Sequence, residues 1–95
     1  MSYDIRERLF FDDILKAARD TDFESLVSRD SIEHALFNVR EMWTWYCEAN
    51  DIECDTHQYD VCVASIWKTL KEHHSKAFSR YTFDTFDLYM GVYLC

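Results

Sequence analysis

Hydrophobic side chains recur at helical intervals along most of this chain. The clearest run follows Asp30, where Ile32, Ala35, Leu36, Val39, Trp43, Tyr46 and Cys47 keep the i, i+3, i+4, i+7 spacing of one buried helix face. Asp30 can cap this run, with Glu33 at the reciprocal position, and Asn50-Asp51 suits a stop. The pattern predicts a helix over about 31–49. After a polar connection at 50–56, with Asp55 or Thr56 as cap, a second stripe runs through Tyr59, Cys62, Val63, Ile66, Trp67, Leu70, His73 or His74, Ala77 and Phe78. It predicts a helix over about 57–78. A connection this short favours antiparallel neighbours. The expected contact is Leu36, Val39 and Trp43 against Ile66, Trp67 and Leu70.

The flanks carry weaker signals. Ile5, Leu9, Ile14 and Ala17 or Ala18 predict a first helix over 3–18, with Asp4 and Glu7 as a capping pair. Phe10 and Phe11 are adjacent, so one of them must leave its main apolar face. Thr21, three residues before Glu24, has capping-box spacing and predicts a short helix at 22–27. In the tail, Phe83, Phe86, Met90 and Tyr93 fit a helix capped by Thr82, although Tyr-Thr-Phe and Gly-Val-Tyr-Leu also have strand propensity. Helix is the better reading, because a lone strand would lack a partner. The whole, residues 1–95, reads as one all-α domain: two long antiparallel helices plus shorter N- and C-terminal ones.

Composition agrees. Proline is absent and the single glycine is Gly91, so tight turns and hairpins are disfavoured. No run approaches the roughly 18 apolar residues of a membrane span, and no apolar segment follows the mixed-charge N-terminus. The four cysteines, Cys47, Cys54, Cys62 and Cys95, are therefore expected to be reduced thiols in the cytoplasm of a host cell. Cys54 and His57 have C-x-x-H spacing, with Cys47 and Cys62 nearby, but the latter two lie on apolar stripes where cysteine acts as a small hydrophobe. Core packing is the better account, and no metal or other cofactor is expected. A cysteine could also pair with His34, His57, His73 or His74, yet nothing positions one against another. No phosphate loop, nucleophile elbow, metalloprotease or dinucleotide motif is present. The expectation is a binder, not an enzyme.

Charge changes the picture most. Ten basic against 18 acidic residues give a net charge of −8, which disfavours direct binding to nucleic acid. The distribution is uneven. Between Glu41 and Trp67 lie Glu41, Glu48, Asp51, Glu53, Asp55 and Asp60 with no Lys or Arg, whereas Lys68, Lys71, Lys76 and Arg80 follow against Glu72 alone. A second acidic group comprises Asp12, Asp13, Asp20, Asp22, Glu24 and Asp30. Such runs usually mean only a solvated face; the sharper reading is a surface that imitates nucleic-acid phosphate. Trp45 stands roughly 160° round the helix from Trp43 by the 3.6-residue period. It should face outward as an interface anchor, unless the first helix or the tail covers it. With Phe10, Phe11 and the aromatic tail, it offers more apolar surface than one small core hides, so a homodimer is expected.

Three stretches together resemble the Ocr-like bacteriophage antirestriction proteins. These are Arg19-Asp20-Thr21-Asp22 entering a short helix, the long helix Ile32 to Cys47 with its connection Asp51-Ile52-Glu53-Cys54-Asp55, and Asp60-Val61 opening a helix through Ile66 and Leu70. The resemblance implies a small acidic helical dimer that mimics the phosphate path of bent DNA. Its partner would be a host protein or nucleoprotein complex with a basic DNA-binding groove, such as a restriction or CRISPR complex. The acidic residues named above would be the partner-binding set. An anti-CRISPR or regulatory module that binds through Trp45 and shape alone, without mimicry, is the competing expectation. Two features depart from the family pattern: the charge is more modest, and Lys68, Lys71, Lys76 and Arg80 stand where a mimic would place acids.

Overall fold

The computed structural model describes residues 9–26 and 28–95. It is all-α, with helices α1 (Phe11–Asp20), α2 (Arg29–Ala49), α3 (His57–His73) and α4 (Phe83–Met90). The apolar stripes seen in the sequence point largely inward, but in the tail Phe83 and Tyr93 are exposed, because α4 ends at Met90 and Tyr93 leaves the helical register. Buried positions are Ile14 and Ala18 on α1, Ile32, Leu36, Val39, Trp43 and Cys47 on α2, Tyr59, Val63, Ile66 and Leu70 on α3, and Phe86 and Met90 on α4. Phe23, Ile52 and Phe78 enter the same core from the connections. Thr56 and Thr82 cap α3 and α4 as expected, accepting hydrogen bonds from the backbone N–H of Tyr59 and Thr85.

Several boundaries differ, each for a local reason. α2 begins two residues early because Ser28, not Asp30, is its cap, accepting from the N–H of Ser31 at 3.1 Å. α1 starts at Phe11, where the N–H of Phe10 donates to Asp13 Oδ2 at 2.9 Å; the expected portion over 3–8, with Asp4, Ile5 and Glu7, lies outside the described residues. No helix forms over 22–26, the described part of 22–27. The Thr21 hydroxyl turns back to donate to Ala17 O at 2.6 Å, and Asp22 accepts from the N–H of Ser25 in a local turn.

α3 stops at His73, not 78. His74 carries its ring inward, where Nε2 lies 2.9 Å from Ala18 O and 3.0 Å from Arg19 O. Both partners are carbonyls, so Nε2 carries the hydrogen and donates, satisfying carbonyls at the end of α1 that the helix itself leaves open. Phe23 packs edge-on against both His74 and Phe78, each at 5.0 Å between centroids. The chain leaves helical geometry to make this lock.

α2 and α3 run in opposite directions, joined by the connection 50–56 at one end. At the other, the Tyr81 hydroxyl donates to Arg29 O at 3.4 Å. Their backbones stand further apart than the expected packing implies: no Cα of one comes within 8 Å of the other. α1 and α4 each touch both long helices and hold them apart. Large side chains bridge the gap instead, with the rings of Trp43 and Tyr59 5.2 Å apart. Trp67, expected in the central contact, is half-buried and packs on Phe78, Phe83 and Phe86.

Candidate functional site

The connection between α2 and α3 is built to hold its acids outward. Asn50 ends α2, its Nδ2 donating to Tyr46 O at 2.9 Å, and Asp51 takes a φ of 53°, a left-handed turn that Asp tolerates. Buried Ile52 then plugs the core, and its N–H donates to Cys47 O at 2.9 Å. The Thr56 hydroxyl closes the loop by donating to Glu53 O at 2.7 Å. With the backbone so pinned, Glu48, Asp51, Glu53, Asp55 and Asp60 are all exposed. Among the described residues no Lys or Arg makes an ion pair with any of them; the pairs present are Arg19–Asp20, Arg29–Glu33 and Lys68–Glu72.

The rim extends beyond the run seen in the sequence. Asp87 of α4 comes near Asp60 and Asp84, and burial followed by the charges of Asp60 and Asp84 pushes its carboxyl above the ordinary value. Asp84 and Asp87 were not among the expected site residues. Their i, i+3 spacing on a helix was the available signal, but the approach of Asp87 to Asp60 comes from the tertiary fold. Asp12 and Asp13 belong to the same end of the molecule, since Phe11 beside them packs on Tyr46 with centroids 5.8 Å apart. Asp13 is also engaged locally by the N–H of Phe10.

The other N-terminal acids do not join this surface. Asp20, Asp22 and Glu24 lie at the opposite end, where Glu24 Oε1 is 3.9 Å from His74 Nδ1 and shares a recess with Arg29, Lys76 and Arg80. Asp20 is beside Arg19 at 3.4 Å. The expected acidic set is thus two separate groups, the second mixed with cations. Asp30 is exposed in the first turn of α2.

Glu41, Trp45 and Glu48 form one stripe on α2, opposite the core face by helix geometry. Glu41 and Trp45 are half-buried, and Trp45 is not among the side chains packed on the described core. Phe11 turns inward onto Trp43 and Tyr46, while Phe10 remains 71% exposed. Further exposed apolar side chains are Phe37 of α2, Leu88 of α4, and Val92 and Tyr93 of the tail.

The cysteines are free thiols. Burial, with Cys62 next, pushes Cys47 up to about 12. A hydrogen bond with Cys95 is the first cause raising Cys54 to about 11. His57 is exposed at the start of α3. Among the described residues no three His, Cys, Asp or Glu side chains converge as a metal would require, and no helix is long and apolar enough to cross a membrane. Comparison with known proteins finds no matching family model, no matching curated protein and no matching solved structure.

Proposed function

We propose that this chain acts by binding, as a phage- or mobile-element-encoded inhibitor of a host DNA-binding defence complex of the restriction or CRISPR type. Its anionic end occupies the basic groove that the partner uses for DNA. One observation carries the reading: Glu48, Asp51, Glu53, Asp55 and Asp60 stand exposed on a pinned backbone without an ion-pair partner among the described residues. Carboxylates serving only local structure would be expected to show capping bonds or ion pairs, as Asp13 and Glu33 do. The resemblance to the Ocr-like proteins supports the same partner class. A sustained negative field of this kind steers association with a basic groove and fixes its orientation.

The test is competition against DNA for purified restriction and CRISPR complexes. The protein should displace DNA from its target without binding DNA itself. A variant carrying Asp51→Asn, Glu53→Gln and Asp55→Asn together should inhibit at least tenfold less well, since each contact is modest but the field is shared. Replacement of Lys68 and Lys71 should matter far less. Binding should weaken steeply between roughly 50 and 500 mM salt as screening shortens the field. Full inhibition by the triple variant, or indifference to salt, would refute mimicry.

A second reading, a module that binds by shape and apolar contact, is favoured by the exposed side chains Phe37, Leu88, Val92 and Tyr93. Trp45, its expected centre, is half-buried.

A further inference from the structure

Arg40 lies within α2 and is 8% exposed, yet no carboxylate comes within ion-pair distance of it among the described residues. Its guanidinium carbon stands 4.2 Å from the ring centre of Tyr89, 4.9 Å from Tyr93 and 5.0 Å from Phe37. Its Nε is buried with no hydrogen-bond partner. A buried cation without an acid is costly, and stacking on three rings offsets only part of that cost. The rings cover the faces of the planar group, and Nε–H within its plane is left without an acceptor.

The surroundings are also those of an interface. Phe37 is 41% exposed and Tyr93 63%, both against Arg40, and Val92, next to Tyr93 in the chain, is 56% exposed. Rigid aromatics around a fixed guanidinium are typical binding hot spots, because little side-chain entropy remains to be lost. We infer that this face of α2 and the tail is a second docking surface, which takes a protein segment presenting one Asp or Glu carboxylate beside an apolar side chain. The carboxylate would accept from N–H groups of the Arg40 guanidinium, and the apolar neighbour would cover Phe37 and Tyr93.

Charge selects this occupant. A single carboxylate meets the Arg40 cation, whereas a nucleic-acid backbone would bring many phosphates into the field of a chain at −8. The surface is chemically opposite to the acidic end and does not depend on mimicry.

The probes are two blocked dipeptides, acetyl-Leu-Glu-amide and acetyl-Leu-Gln-amide, titrated into the full chain in low salt while the Arg40 Nε–Hε and the Phe37 and Tyr93 ring resonances are followed by NMR. The Glu peptide should shift all three saturably, and the Gln peptide should bind about tenfold more weakly, the scale of losing charge assistance at a hydrogen bond. Arg40→Met, which keeps the apolar stem, should bind both peptides at the Gln level. The variant neutralised at Asp51, Glu53 and Asp55 should bind the Glu peptide like wild type, which separates this inference from the proposed inhibition. Equal binding of the two peptides by wild type would overturn it without recourse to any variant. So would an unmoved Arg40 resonance, or shifts on simple dilution that reveal a second copy on the face.

Discussion

At the scale of single residues, most of the core is a matter of apolar spacing, but Gly91 is a matter of space. Its φ is −91°, which any residue can adopt, so backbone freedom is not the reason for glycine there. A Cβ at this position would lie 3.0 Å from the Tyr59 hydroxyl and 3.1 Å from Cys95 Sγ. Gly91→Ala should therefore cost about 1–3 kcal/mol through overpacking against a rigid phenol. The Tyr59 hydroxyl is itself buried without a hydrogen-bond partner. Tyr59→Phe should be close to neutral or slightly stabilising, and should reduce the cost of the alanine by half or more. Urea unfolding of the two single variants and the double variant measures this coupling; strict additivity would contradict it. Cysteine chemistry follows the same local logic. Cys47, 1% exposed and pushed up to about 12 by burial, should resist iodoacetamide at neutral pH in the folded protein and react readily once urea exposes it. Equal rates before and after unfolding, followed by mass spectrometry, would exclude that account.

At the scale of elements, the sequence carried the long helices and the caps at Thr56 and Thr82, because stripes of four or five apolar residues and a hydroxyl cap are local signals. It did not carry the end of α3. Ala77 and Phe78 continue the helical spacing, and only the carbonyls of Ala18 and Arg19, more than 50 positions away, draw His74 out of register. The pairing of helices was equally hidden: a short loop implies neighbours, but α1 and α4 intervene between α2 and α3. The site divides likewise. The run from Glu48 to Asp60 is contiguous and could be read, whereas Asp84 and Asp87, and the rings around Arg40, are assembled from distant segments. Asp87 gives a direct test. Its folded carboxyl is raised above the ordinary 3.8, so the folded state prefers it protonated. That preference supports stability in full below the unfolded value and is lost as pH rises through the folded one. Asp87→Asn should consequently stabilise the protein at pH 7, by roughly 0.5 kcal/mol for one like-charge contact. The difference should vanish near pH 3, and thermal unfolding across that window measures it. A variant less stable than wild type at pH 7 would refute the sign.

At the scale of the whole molecule, the same acids bear on stability and on binding with opposite signs, which makes the two separable. A chain at −8 whose acidic end has no ion-pair partner among the described residues repels itself when compact. Were these carboxylates present to hold the fold, neutralising them would lower stability. The fold instead holds them by Ile52, Asn50 and Thr56, none of which is charged. The variant with Asp51→Asn, Glu53→Gln and Asp55→Asn should thus melt at or above the wild-type temperature, since Asn tolerates the left-handed φ of Asp51 as well as Asp does. Wild type should gain thermal stability as salt rises from roughly 20 to 500 mM, since screening relieves repulsion between exposed charges, and the triple variant should gain less. Calorimetry in the two salts measures both effects. A lower melting temperature for the variant, or a wild type that loses stability with salt, would show the acids to be structural. The expected result would leave their exposure unexplained by folding, as the proposed binding to a cationic groove requires.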